Sequence, residues 1–194
     1  MTTFSPPSPK KPRSAMRFGC ILVVAAWLCV SAACAILAAN SFQAIHIASP
    51  RAVRNYRVEG VGMEPTLHDG QYLLGLVGDA CARALSRADV IVFIAPEARD
   101  RAFLKRVIGL PGETVEVRQE RVLINGVLLT ESYRVVPATY AYGPQRVGAN
   151  ELFVLGDNRE NSLDSHIWGM LPCNLVLAQL WLSYWPPQSW GFVR

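Results

Sequence analysis

Between Tyr72 and Trp185 short apolar runs alternate with turn punctuation: "YLLGLV" (72–77), "DVIVFIA" (89–95), "FLKRVIGLPGETVEV" (103–117), "RVLINGVLLTE" (121–131), "ELFVLGDN" (151–158) and "LVLAQLWLSYW" (175–185). Runs of this length, bounded by Gly, Pro, Asn and Asp, read as strands, so the pattern predicts a mostly β domain. Asn125-Gly126 between "VLI" and "VLL" predicts a two-residue hairpin with a type I′ turn. "VVPATYAYGPQRVGAN", Val135 to Asn150, reads as a loop, and no repeat of solenoid or propeller period is present. If "RAFLKRVIG" is a strand, Phe103, Lys105 and Val107 share one face. The same alternation puts Trp181 and Trp185 on one face of the last strand, with Leu182 and Tyr184 on the other. Trp181 is expected in the core, and Trp190 at a membrane–water interface, where Trp and Tyr are favoured.

The longest apolar run precedes these strands. "FGCILVVAAWLCVSAACAILAA", Phe18 to Ala39, carries no charge, and at about 1.5 Å per helical residue it would cross a hydrocarbon core about 30 Å thick. A transmembrane helix is expected there. The alternative, a cleaved signal peptide, usually has an apolar region of only about 7–15 residues. A buried core helix fits less well, because no face of the run is polar. Lys10, Lys11, Arg13 and Arg17 precede the run with no acid among them, favouring a cytoplasmic N-terminus, although Arg51, Arg54 and Arg57 follow it. The organisation expected is a disordered, Pro- and Ser-rich cytoplasmic head (1–17), a single transmembrane helix (18–39), a linker (40–57) and an extracytoplasmic β domain (58–194).

Composition removes several function classes. The net charge is only +4 over 194 residues, with basic residues scattered, so the basic stripe of a nucleic-acid binder is missing. Cys20, Cys29 and Cys34 fall in the apolar run, leaving Cys81 and Cys173 in the exported part. A disulfide between those two is open, but nothing in the sequence argues for it, and unpaired or buried thiols are the reading preferred. His46, His68 and His166 show no metal-ligand spacing, so a zinc hydrolase is not expected.

The candidate chemistry starts with Lys105. A lysine pointing with Phe103 and Val107 is poorly solvated. Desolvation lowers an amine's pKa, and a neutral amine near pH 7 is a competent general base. Alone, such a lysine is more often an edge residue snorkelling past apolar neighbours. Its company changes the reading: "VGMEPTLHDG", then "RADVIVF", "LKRVIGLPGETV" and "GDNRENSLDSHIWG" follow in order. This ordered set, spanning roughly Val58 to the C-terminus, resembles the type I signal peptidases, membrane-bound serine/lysine endopeptidases that remove signal peptides. A second serine/lysine family, the self-cleaving repressors of DNA-damage responses, would need a soluble chain with a DNA-binding module, and neither is read here.

The resemblance implies a signal-peptidase-like β domain and cleavage, by a serine/lysine dyad without metal or cofactor, after small-x-small sites in signal-peptide-bearing precursors at the lipid bilayer. Lys105 then matches the general base, and Ser162 the serine that orients it. The backbone N–H of Gly62 takes the position of an oxyanion donor. Met63, Pro65, Asp157, Asn158, Arg159, Asp164 and Ser165 match supporting positions, and Gly156 to Arg159 form the turn that presents Ser162. Read without the resemblance, "GDNR" is an ordinary turn sequence and Ser162 a local cap.

Two residues depart from the pattern. Gly62 stands where the resemblance calls for the nucleophilic serine, so the acyl-enzyme route is closed. Thr66, His68 and Asp69 are poor substitutes, the last two reading as exposed turn residues. His166 stands where the family commonly has arginine pairing with the aspartate matched by Asp164. A histidine supplies charge only in part near neutral pH, so a looser or pH-sensitive support for Ser162 is expected. Three accounts of Gly62 stay open: a non-catalytic pseudo-peptidase that binds signal peptides or an assembly partner, an inactivating change, or catalysis by another route. The intact Lys105 and Ser162 favour recent loss.

Overall fold

The computed structural model describes residues 52–78, 85–96 and 98–193. The head, the span Phe18–Ala39 and most of the linker read from the sequence lie outside them. Among the described residues no helix is long and apolar enough to cross a membrane.

The described chain is mostly strand. A large antiparallel sheet runs in the order β1 (Val53–Arg57), β2 (Tyr72–Val77), β11 (Val176–Trp185), β3 (Val90–Ala95), β4 (Ala98–Gly109), β9 (Glu151–Leu155) and β10 (Leu171–Pro172), with β12 (Gly191–Phe192) paired to β11. A small sheet runs β7 (Val127–Leu128), β6 (Arg121–Ile124), β5 (Thr114–Arg118) and β8 (Tyr142–Arg146). Each of the six apolar runs singled out between Tyr72 and Trp185 contains at least one strand. The β6–β7 hairpin pairs Ile124 with Val127, and Asn125 and Gly126 both have positive φ, 53° and 78°, as a type I′ turn demands.

Three expectations need correction. Val135–Asn150 is not all loop, because Tyr142–Arg146 form β8 against β5. No apolar alternation announces this strand, since four of its five residues are exposed. Pro144, which has no N–H to donate, is tolerated because β8 is the edge of its sheet. In β11 the strict alternation fails: register shifts between Leu180 and Leu182 and between Ser183 and Trp185 rotate the side chains. Trp181 is therefore only half-buried, tilted against Phe192 at 6.2 Å, while Trp185 and Trp190 are exposed. Finally, Cys173 is disulfide-bonded and not a free thiol. Its place beside Asn150, whose carbonyl accepts the Cys173 N–H at 2.9 Å, is set by the β9–β10 pairing, which sequence separation does not reveal.

Three apolar clusters hold this frame. Ile91, Phe93, Val107, Val154 and Leu171 fill the first. Ile108, Val115, Val122, Phe153 and Leu155 join the small sheet to β4 and β9. Val58, Met63, Leu67, Leu73, Val90 and Leu180 lock the loop after β1 onto the large sheet. Burying such side chains fully is worth about 1.5–3 kcal/mol each, so that loop is anchored by its own apolar residues.

Candidate active site

The loop from Val58 to Gly70 is tied at its neck. Val58 N–H donates to Gln71 O at 2.8 Å, Gly70 N–H returns to Val58 O at 2.9 Å, and Gly60 N–H donates to Asp69 Oδ1 at 2.8 Å. Met63 and Leu67 point inward, so Gly62 is held between a buried methionine and a closed turn, with Pro65 partly buried behind it. Asn158 grips the loop from outside: its N–H donates to Gly62 O at 3.2 Å, and its Nδ2 to Val61 O at 3.2 Å. Gly62 N–H has no acceptor among the described residues.

Strand β4 brings Lys105 to this loop. Alternation places it with Phe103 and Val107, and only 6% of the residue is exposed. A Cβ built on Gly62 would lie 2.9 Å from Lys105 Nζ, 3.6 Å from Asn161 O and 3.8 Å from Ser162 Oγ. The lysine amine therefore points at the place where a residue-62 side chain would begin. Burial pushes the Lys105 amine below its ordinary pKa, a shift opposed by the charges of Asp164 and Asp157. Ser162 Oγ is buried with no hydrogen-bond partner, a cost a native fold rarely accepts without a use for the group.

Nothing in the backbone requires glycine at 62. Its φ lies outside the left-handed region, and the single tight neighbour of a new Cβ is the far end of a flexible lysine. Gly156 is different: a Cβ there would fall within 3.0 Å of Ser162 Oγ, Ser162 Cβ and the Gly62 carbonyl oxygen. Close approach of the two loops needs a glycine there.

Beneath the site lies a charged layer that the sequence reading only partly found. Asp157 accepts two bonds from Arg106, Nε to Oδ1 at 2.8 Å and Nη2 to Oδ2 at 2.6 Å, with both residues fully buried. The Arg106 guanidinium also lies 3.8 Å from the centre of the Tyr133 ring. Arg159, buried, donates to Glu131 and, at 3.0 Å, to Gly156 O. Asp164 caps the short helix α1 (Ser165–Trp168) through His166 N–H and accepts Gly156 N–H at 2.9 Å. Ser165 Oγ accepts Val154 N–H at 3.0 Å. His166 Nδ1 sits 2.7 Å from Asp164 Oδ1, and its ring stacks on Tyr140 at 3.9 Å. Tyr140 and Tyr133 are both pushed above the ordinary phenol range, first of all by burial.

The predicted site residues thus meet: Gly62, Lys105 and Ser162 converge, and Asp157, Asn158, Arg159, Asp164 and Ser165 brace them. His68 and Asp69 are exposed, as expected, and Thr66 Oγ1 is engaged with Arg134 O at 3.1 Å. Sequence reasoning missed Arg106, Glu131, Tyr133 and Tyr140. The one signal for Arg106 was its adjacency to Lys105, since strand alternation sends consecutive residues to opposite faces. Among the described residues no three His, Cys, Asp or Glu side chains are grouped to hold a metal.

A cavity of about 530 Å³ opens from this convergence, with Val58, Gly62 and Met63 on one wall and Phe103, Leu104 and Lys105 on the other. β4 pairs with β9 only from Arg106 onward, so the edge of Ala98–Lys105 facing away from β3 carries no strand among the described residues. A second cavity of about 510 Å³ is lined by the Thr66–Asp69 segment and the C-terminal strands, and neither Lys105 nor Ser162 reaches it.

The chain is 47% identical over 112 residues to a signal peptidase I of Leptolyngbya laminosa, covering 54% of this chain and 55% of that protein. It is 40% identical over 136 residues to a probable signal peptidase I-2 of Synechocystis, covering 68% and 62%. The chain therefore spans less than two thirds of the length of these two relatives. A signal peptidase I structure from Enterococcus faecalis V583 aligns with a TM-score of 0.44 at 32% identity, over 50% of this chain and 97% of that one. The family model described as "Signal peptidase, peptidase S26" matches residues 22–185, which takes in the loop of Gly62, the strand of Lys105 and the turn of Ser162, and on that match the chain belongs to the signal peptidase S26 family.

Proposed function

We propose that the chain is a membrane-anchored member of this family built to cleave signal peptides after small-x-small sites, with catalysis severely impaired by Gly62. The carrying observation is the amine of Lys105, buried without a hydrogen bond to any described residue and aimed at the position of a residue-62 side chain. With serine at 62, Lys105 Nζ takes the hydroxyl proton as Oγ attacks the peptide carbonyl, Ser162 orients the amine, and the residue-62 N–H donates to the developing oxyanion. Residues 18–39 anchor the chain, with the β domain on the extracytoplasmic side. The substrate adds as an extended strand along the open edge of β4, where backbone hydrogen bonds supply affinity and small pockets supply selection.

Glycine removes the nucleophile alone. In serine proteases that loss costs about 10⁶ in kcat, while binding and the oxyanion hole leave about 10³–10⁴ over water. The second reading, a pseudo-peptidase that binds signal peptides without cutting, rests on Gly62 itself. Both are tested by one precursor with an Ala-x-Ala site, incubated with the chain as given and with Gly62→Ser. Cleavage by the serine form alone supports the impaired peptidase. Binding without cleavage by either form supports the pseudo-peptidase, and cleavage by both reveals another nucleophile and sinks both readings.

A further inference from the structure

The cleft is one-sided. From Lys105 its lining continues back along β4 to Arg101 and back along the β1 side to Arg57. In the other direction Arg106 is fully buried and β4 is covered by β9. A peptide with its scissile carbonyl at Lys105 therefore lays only one arm in the cleft. Selection for small-x-small acts on residues before the cut, so the arm in the cleft is the N-terminal one, running parallel to β4.

The far end of that arm is basic. Arg101 lies four residues from Lys105 on the same face of β4, about 13 Å along an extended strand. Arg57, on the opposite wall, is exposed and forms no ion pair among the described residues. The contact Arg101 makes with Asp100 is 3.9 Å long with both side chains more than three-quarters exposed, too loose to hold the guanidinium. Glu59 also lines the cleft, but among the described residues it forms no ion pair with either arginine.

We propose that Arg101 and Arg57 form a specificity subsite for an acidic side chain at the fourth or fifth residue before the cleavage site. This rests on the peptidase-fold reading of the cleft above. Rim charges of this kind shift affinity by about two- to fivefold and weaken with salt.

The test measures binding of fluorescent peptides to the full chain in detergent micelles, with one Ala-x-Ala site and a single Asp walked from six residues before the cut to three after it. An Asp four or five residues before the cut is expected to tighten binding two- to fivefold at low salt. The gain should vanish at about 0.5 M salt and in Arg101→Gln/Arg57→Gln, while an Asp after the cut gives none. If the Asp-free peptide binds and the position of Asp makes no difference, or the gain survives in the double variant, the subsite is wrong and the reading of the cleft stands. If the Asp-free peptide does not bind and Gly62→Ser does not cleave it, both fall.

Discussion

Two alanine substitutions separate a glycine demanded by packing from one that is not. At Gly62 a methyl group meets Lys105 Nζ at 2.9 Å and two other atoms at ordinary contact, 3.6 and 3.8 Å. The lysine end swings by a few tenths of an ångström, and the loss of glycine freedom in the unfolded chain contributes about 0.4–1 kcal/mol in favour of the fold. Gly62→Ala is therefore expected to leave stability unchanged or raise it slightly. At Gly156 the methyl group would lie within 3.0 Å of the Gly62 carbonyl oxygen and of Ser162 Oγ and Cβ. Neither a loop carbonyl held by Asn158 nor a buried serine can step aside without moving the loops apart. Overpacking of this kind costs about 1–3 kcal/mol, and at about 2–4 °C per kcal/mol the melting temperature of Gly156→Ala should fall by roughly 2–12 °C. Thermal unfolding of the two variants beside the parent, followed by near-ultraviolet circular dichroism, reads the difference. A Gly62→Ala variant that melts as early as Gly156→Ala would refute the reasoning, because residue 62 would then have no room for any side chain.

Three further outcomes follow from the buried charges. For Lys105, the unfolded amine keeps its ordinary pKa while the folded one is lower, so between the two values the unfolded state binds more protons and stability rises with pH. Lys105→Met should lose that rise, seen as a flatter urea midpoint from neutral pH to about pH 10; equal slopes would contradict it. Asp157→Asn leaves Arg106 buried with half its partner and should cost about 3–5 kcal/mol; a loss under about 1 kcal/mol in urea unfolding would show that the pair is not needed. His166→Ala removes the ring that stacks on Tyr140 at 3.9 Å and meets Asp164 Oδ1 at 2.7 Å, leaving a buried carboxylate short of a partner, which should cost about 1–3 kcal/mol. A loss under about 0.5 kcal/mol in urea unfolding, the range of an ordinary surface change, would show that the ring is not part of the support beneath Ser162.

What the sequence made legible was whatever apolar periodicity or turn chemistry encodes locally. Asn125-Gly126 announced its hairpin, and the alternation through Phe103, Lys105 and Val107 put an amine on an apolar face, although alone it fitted a snorkelling edge lysine as well as a buried base. The order of the motifs, more than any single residue, brought Lys105, Ser162 and Gly62 together. What stayed hidden was non-local. β8 is a strand because β5 pairs with it, although its own residues are mostly polar and exposed. The bulges in β11 break a side-chain alternation that the residues alone suggest. Arg106 was passed over because a lone arginine in a strand reads as solvated, and its partners Asp157 and Tyr133 come from distant segments.

The central claim is that Lys105 is kept uncharged more readily than an ordinary lysine and faces residue 62. Lys10, Lys11 and Lys105 are the chain's lysines, so a protein labelled with ¹³C at the lysine ε-carbon gives few resonances to assign, and Lys105→Met identifies the one that matters. Its titration is expected to fall below the ordinary value of about 10.4 and to move further when Gly62 is replaced by serine. A Lys105 signal that titrates at or above that value and does not respond to the Gly62→Ser change would contradict the account.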